Sequence, residues 1–504
     1  MYKATPSGPN GSPQVIVIGA GIAGLATTLR LAKIGIRVSL LERHDHVGGK
    51  IWTVPSAAGP IDAGPTALTL RHVFDDLFAN AGEHIEDHVE LVRQESIARH
   101  FWPDGSQLDL YDDPDASYEA IKAFCGDKSA REFCEFSRQA RDLFNAYEIP
   151  MIQTPAPNMS TMSETLIRKD RSLIPMLAPF STLKAMLHSS FSEPRLRQLF
   201  GRYATCIGAS PTHAPSILAL IWHTEAAGTW AIKGGIHKLA EAIAKLAIKS
   251  GADIQTGVHV ERVDRGLHGQ YRVQLADGRN IPCNAMVYAG DPRALAAGKL
   301  GLGFKSCAAH TLDTSRSFSA RVHTFAAKVS GPKLARHNIL FSDDAEDEFA
   351  DLMADRLPCK PSIDIYALDR GMGEPVPELE RFKFVTNAPA RATDLECISD
   401  WHPKIMAMIS RFGLEFGPGP SAADIITESD FARMFPGSLG ALYGQSPHGL
   451  ISSFKRPTAR THLPGVYLAG IGCQPGGGLP MVATSGQHAA EAILNDRIFD
   501  ATYT

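Results

Sequence analysis

A chain of 504 residues is longer than one ordinary hydrophobic core and predicts two domains, with room for one to be inserted in the other. With 44% hydrophobic and 21% charged residues the composition is globular, and a formal charge of −4 excludes the concentrated Lys and Arg of a nucleic-acid surface. Eight cysteines, at 125, 134, 206, 283, 307, 359, 397 and 473, form no CxxC pair, so they read as small buried residues of a reducing compartment, not as a zinc or dithiol site.

Met1 to Pro13 is polar and rich in Gly, Pro and Ser, without the apolar core of a secretory signal. No charge-free run of about 18 apolar residues predicts a membrane-spanning helix. Gln14 to Ile18 is a β-branched run typical of a buried parallel strand. Gly19 to Gly24 follows, then helical spacing from Leu25 to Ile34 that stops at Gly35, then a second strand, Ile36 to Leu41, ending in Glu42. Together these make one βαβ unit of about 30 residues.

Farther along, Ser96 to Leu110 predicts a hairpin turning at Asp104-Gly105. Residues 115–225 are mostly helical in pattern, broken by Pro-rich stretches such as Pro150 to Pro157. After Gly234-Gly235 a helix, Ile236 to Lys249, leads to a strand over Asp253 to Val263 and a hairpin from Tyr271 to Tyr288 turning at Asp277-Gly278. Three strand-like runs, Ser317 to Val329, Ser362 to Leu368 and Arg381 to Thr386, predict a separate antiparallel sheet. The chain closes on a buried strand, Gly465 to Ala469, a Gly/Pro loop, and a helix from Thr484 to Asn495.

The chemistry begins at Gly19-Ala20-Gly21-Ile22-Ala23-Gly24. Gly19 permits the strand-to-helix turn, Gly21 lets a pyrophosphate approach the backbone, and Gly24 lets helix and strand pack closely. Free N–H groups and the helix dipole then attract the diphosphate. Glu42, 23 residues after Gly19, ends the next strand, where a carboxylate can accept both hydroxyls of an adenosine ribose. Arg43 and the Gly48-Gly49-Lys50 turn bring cations toward the diphosphate from the other side, an element that a nicotinamide dehydrogenase has no use for. Asp62-Ala63-Gly64-Pro65-Thr66 gives a rigid turn able to run along an isoalloxazine ring, so FAD is the expected cofactor.

Gly19 to Gly24, Glu42-Arg43, Gly48-Gly49-Lys50 and Asp62 to Thr66 resemble the N-terminal signature of the amine oxidase and phytoene desaturase superfamily. Val466 to Gly470, Pro475 to Met481 and Ser485-Gly486 resemble its C-terminal signature. The resemblance implies backbone contacts to the flavin and its ribityl-phosphate arm around Gly470, Gly478 and Met481, and to adenine at Val260. Phe200-Gly201-Arg202-Tyr203-Ala204-Thr205, Trp230 to Gly235, Ala441 to Gly444 and Ser453 to Pro457 are similar to the bacterial 1-hydroxycarotenoid 3,4-desaturases (methoxyneurosporene dehydrogenases). The chain departs from these relatives at Ala23, often Gly, and at Gly472-Cys473-Gln474, where the subgroup commonly carries His.

The expected fold is therefore α/β: a discontinuous Rossmann-type FAD-binding domain (1–95, 226–300 and 425–504) with an inserted α+β substrate domain (96–225 and 301–424). The expected activity is desaturation of an acyclic, hydroxylated carotenoid by hydride transfer to flavin N5, with oxygen or a quinone as final acceptor. Rival readings are a phytoene desaturase or carotenoid isomerase, a flavin amine or porphyrinogen oxidase, and a non-catalytic lipid escort on the same fold. Such chemistry needs a dry pocket, an aligned C–H bond and a weak base, for which His213, His223 and Glu225 are candidates. No metal site is expected, and His44-Asp45-His46 reads as a solvated loop. Trp222 and Trp230 either line an apolar tunnel or pack in the core. Arg168 to Arg171 followed by the apolar stretch Ser172 to Phe180 has the make-up of a monotopic anchor on the inner face of a bacterial cytoplasmic membrane.

Overall fold

The computed structural model describes residues 14–158, 160, 164, 181–266, 270–395 and 398–496. Gln14–Ile18 is buried along its whole length, because strands flank it on both sides in the middle of a five-stranded sheet. Arg37–Leu41 and then Asp253–Gln255 lie to one side; Ala285–Tyr288 and then Val466–Leu468 lie to the other. Every pairing in this sheet is parallel. The helix Ile22–Lys33 connects the first two strands and stops at Gly35, whose φ of +84° only glycine adopts freely. There the N–H groups of Gly35 and Ile36 donate back to Ala32 O and Leu31 O, closing the last turn.

Two predicted elements divide where periodicity gives no warning. The strand expected over Asp253 to Val263 is two strands on two sheets. Gly257, at φ +72°, turns the chain, and Val260–Arg265 opens a three-stranded antiparallel sheet with Tyr271–Leu275 and Asn280–Cys283. The hairpin expected over Tyr271 to Tyr288 likewise ends at Cys283, and Ala285–Tyr288 joins the parallel sheet. Both halves are apolar enough to be strands, so the pattern alone does not show that they separate. The final helix is longer than expected. It runs over Leu479–Asn495, because Pro480 falls in the first turn, where a missing N–H costs nothing.

The second large sheet has eight strands and contains all three of the runs predicted to form it. Its order is Glu415–Gly417, Ser319–Ser330, Glu380–Ala388, Ile363–Ala367, His337–Leu340, Ser96–Phe101 and Gln107–Tyr111, with Ile425–Ile426 also on Ser319–Ser330. Only the pairing of His337–Leu340 with Ser96–Phe101 is parallel. Alternation separates its faces. Ile363, Ile365, Phe382 and Phe384 pack with Trp401, Ile405 and Ile409 of the helix Ile398–Arg411. Asp364, Tyr366, Lys383 and Val385, one residue out of step, face the opposite way and line the cavity described below.

A helical layer packs on Leu108, Leu110 and Ile339 at the far end of this sheet. Its core is aromatic: Phe136 and Phe200 rings lie 4.8 Å apart, and Trp222 meets Phe200 at 5.4 Å. Arg168 to Phe180, the stretch with the make-up of an anchor, lies outside the described residues. Among the described residues no helix is long and apolar enough to cross a membrane.

Candidate active site

A cavity of about 770 Å³ runs between the parallel sheet and the eight-stranded sheet, a size typical of ligand clefts. One end is built from glycines. Gly19 (φ +108°) turns the chain off the first strand, and Gly21 precedes the first helix with no side-chain cap on the helix N–H groups. A Cβ at Gly24 would stand 2.0 Å from Gly19 O, so helix and strand meet there with no room for a side chain. At Gly21 a Cβ would meet nothing closer than Gly49 Cα at 3.9 Å, so the space beside it is open. Gly48 pairs with Gly21 across a parallel bridge, and its N–H donates to Ala20 O at 2.8 Å.

A second uncapped helix begins beside the first. Gly478 (φ +106°) precedes Leu479–Asn495, and Gly478, Leu479 and Pro480 line the same cavity. The two helices are held close by Gly486, where a Cβ would stand 2.4 Å from Ala23 O, and by Thr27 Oγ1, which donates to Gly486 O at 2.9 Å. Two helix N-termini thus offer unpaired N–H groups and positive dipole ends to one space, an arrangement suited to a phosphate-bearing ligand.

Gly19, Gly21, Ile22, Ala23, Glu42, Arg43, Gly48, Gly49, Lys50, Gly64, Pro65, Thr66, Val260, Gly470 and Gly478 all line this cavity. Gly24 lies behind it. The Met481 side chain packs against the helical layer, and Met481 is not among the residues that line the cavity. Glu42 is buried, and its two oxygens accept from Ala20 N at 2.7 Å and His44 N at 2.8 Å, which orients the carboxylate at the strand end. Lys50 differs from the sequence reading in its direction. Its Nζ donates to the carbonyls of Ala441 and Leu442, at 3.2 and 2.5 Å, and burial pushes its ammonium down to about 8. Asp62 accepts from Ile236 N at 2.9 Å and meets His237 Nδ1 at 3.2 Å, so it fastens the loop to the helix His237–Lys249.

The other end of the cavity is polar. Lys383 Nζ donates to Gly64 O at 2.6 Å and stands 4.4 Å from the centre of the Tyr366 ring; burial pushes its ammonium down to about 7. The His337 ring stacks on Tyr366 at 4.3 Å, and His337 Nε2 meets Asp364 Oδ1 at 2.9 Å. Arg202 Nη1 reaches the same Asp364 oxygen at 3.5 Å. Burial opposes ionisation of Asp364, but the hydrogen bond from His337 and the charge of Arg202 keep its carboxyl below the usual range. Glu225, also on the wall, accepts from Tyr203 Oη at 2.9 Å.

Of the three candidate bases, only Glu225 lines the cavity. His213 pairs its ring with His448 at 5.4 Å and His223 packs on Phe144 at 5.2 Å, both away from the wall. Trp222 sits in the aromatic core with its indole N–H on Ser137, and Trp230 belongs to a two-stranded ribbon, so neither lines a tunnel. His44 turns to Met434 O at 3.2 Å, while Asp45 and His46 pair with each other in the exposed loop. Sequence reasoning passed over Tyr288-Ala289-Gly290-Asp291 and the Asp364, Tyr366 and Lys383 set. The first has a signal, a small-Gly-acid run directly after a buried strand; the second shows as polar residues in alternate positions of two otherwise apolar strands.

A family model described as flavin containing amine oxidoreductase matches residues 22–321. The hydroxyneurosporene desaturase of Cereibacter sphaeroides is 45% identical over 96% of this chain and 98% of its own length. That of Rhodobacter capsulatus is 43% identical, over 96% and 98%. A putrescine oxidase with redesigned cofactor binding superposes with a TM-score of 0.62, covering 96% of this chain and 99% of its own at 14% identity, a likeness of fold.

Proposed function

The chain belongs to the family of flavin-containing amine oxidoreductases, and from that footing we propose that it is an FAD-dependent carotenoid desaturase acting on an acyclic, hydroxylated substrate at the 3,4 bond. The observation that carries the reading is the near full-length match to two hydroxyneurosporene desaturases. The cradle suits FAD on its own chemistry: open space at Gly21, two uncapped helix N-termini, and an oriented carboxylate at Glu42. In this reading Gly19, Gly21, Ile22 and Ala23 take the diphosphate, with Gly24 packing the helix close behind them and Arg43, Gly48, Gly49 and the backbone of Lys50 across from them. Glu42 takes the ribose and Val260 the adenine, while Gly64 to Thr66, Gly470 and Gly478 flank the ring and its phosphate arm. FAD binding is assigned to 1–95, 226–300 and 425–504, and substrate binding to 96–225 and 301–424.

Bound there, FAD supplies the acceptor for the electron pair released when a carbon–carbon single bond becomes double. The chain's own residues exclude water, hold the polyene and take the proton. Glu225 Oε2, positioned by the Tyr203 hydroxyl, is the acceptor assigned to that proton. A hydrocarbon of this kind resides in a bilayer, so we assign the protein a peripheral position on the inner face of the cytoplasmic membrane, with oxygen or a quinone taking the electrons onward.

The test is direct. Yellow holoenzyme mixed with liposomes carrying hydroxyneurosporene should produce a red-shifted polyene spectrum; flavin-loaded protein that leaves the spectrum unchanged rules the reading out. Flotation with the same liposomes tests the membrane assignment separately: protein that stays at the bottom of the gradient rules that part out.

A further inference from the structure

We infer that Lys383 is a flavin-tuning residue: the eight-stranded sheet holds its positive charge against the loop Gly64 to Thr66, where it favours negative charge on the flavin ring. The inference rests on the assignment of that loop to the ring and adds a group, outside the cradle, that acts on the cofactor.

Lys383 is 3% exposed and lines the cavity together with Ala63, Gly64, Pro65 and Thr66. Its Nζ donates to Gly64 O at 2.6 Å, and two residues earlier Arg381 Nη1 donates to Pro60 O at 3.1 Å, so one strand grips the loop at two points. Across the sheet Lys383 pairs with Tyr366 and Tyr366 with His337, which sets the three side chains in one row on the cavity face. The strand on the other side offers Thr324, which carries no charge.

The charged groups around Lys383 are engaged with other partners. Asp62 accepts from Ile236 N and meets His237 Nδ1, while Asp364 meets His337 Nε2 and Arg202 Nη1. Arg381, on the same face of its own strand, is paired with Asp369. Burial pushes the Lys383 ammonium down to about 7; Asp62 and Asp364 work against that through their charge, and Arg336 adds to it. The ammonium is therefore a buried cation whose carboxylate neighbours are bonded elsewhere, beside the space assigned to the ring.

A flavin ring that takes up an electron pair with one proton is left with a negative charge, and a charge placed near it tunes that step. Burial strengthens the attraction, because the surroundings screen it less than water does. Below about pH 7 Lys383 supplies the cation. Above it the neutral amine still has an N–H to donate to Gly64 O, so the loop stays fastened and only the charge is lost.

Sulfite reads this charge without turnover. Its sulfur lone pair forms a bond to the oxidised ring, no bond breaks, and the ring gains a negative charge as its yellow absorbance bleaches. FAD-loaded wild type, Lys383→Met and Lys383→Arg are titrated with sulfite at about pH 6 and about pH 9. At the lower pH Lys383→Met should bind sulfite at least about tenfold more weakly than wild type. Its flavin potential, by dye equilibration, should fall by about 30 mV, the same tenfold converted. At the higher pH the two should agree, because the wild type has lost its charge. Lys383→Arg, charged throughout, should match the wild type at the lower pH and bind sulfite at least about tenfold more tightly at the higher. Equal affinities of Lys383→Met and wild type at the lower pH overturn the inference. So does a difference that persists unchanged at the higher pH, which a purely structural clasp would give. If Lys383→Met does not hold flavin, Lys383→Arg decides: affinity no higher than wild type at the higher pH overturns the inference. These outcomes leave the desaturase reading standing, since polyene turnover tests it separately; a wild type that takes up no FAD overturns both.

Discussion

Gly21 and Gly24 are three residues apart in one motif, yet their replacement should have different consequences. A side chain at Gly24 runs into Gly19 O at 2.0 Å, so Gly24→Ala should lower the melting temperature or prevent folding, with or without flavin. A side chain at Gly21 enters open space on the protein side, but that is the space assigned to the diphosphate. Gly21→Val should therefore fold and be colourless, with FAD affinity down at least about tenfold, or about 1.4 kcal/mol, by flavin titration. A yellow, tightly loaded Gly21→Val protein would contradict the assignment. The glycine positions were readable because a phosphate turn constrains residue type strictly at fixed spacing. The direction of Lys50 was not readable, since its acceptors at Ala441 and Leu442 are nearly 400 positions away in the chain. Arg202 was visible only as one letter of a family-like run; its contact with Asp364, 162 positions away, appears only when the strand carrying Asp364 is brought beside it.

The strand Ser319–Ser330 shows how an element carries both stability and pH dependence. Its Arg321 makes a fully buried pair with Glu428, Nε to Oε2 at 3.1 Å and Nη2 to Oε1 at 3.0 Å, tying the helix Glu428–Met434 to the sheet. Glu428→Ala would remove both of these charge-assisted bonds from a buried cation and should cost about 3–5 kcal/mol in urea unfolding. Two residues on, His323 is buried with Nε2 3.1 Å from His402 Nδ1, and burial, then His402 and Arg321, push its imidazole down to about 3. The unfolded chain takes a proton there near pH 6.5, while the folded one does not until about pH 3. Stability should then fall as pH drops from about 6.5 toward 3, and His323→Phe should flatten that part of a melting-temperature profile. The element pattern was largely legible where one face is buried, as in Ile363–Ala367 and Glu380–Ala388, because alternation is visible in the letters. It failed between Gln255 and Val260, and between Cys283 and Ala285, where one apolar stretch serves two sheets and only tertiary pairing decides the break.

At the scale of the whole molecule, the parallel sheet draws strands from near residues 14, 253 and 466, so its order is non-local and no single segment can form the cradle alone. Binding of FAD across those pieces should stabilise all of them together. Saturation at about 100 times Kd should add about 2.7 kcal/mol, measured as a rise in unfolding temperature with added FAD. A protein whose melting is insensitive to FAD would argue against the shared grip. The helix that starts at Leu479, and the strand Val466–Leu468 before it, are synthesised long after the first strand and helix of the cradle. Until they clear the ribosome, half of the phosphate cradle does not exist. Cofactor loading must then wait for them, and nascent chains stalled before residue 466 should carry no bound flavin however much of the molecule has already emerged.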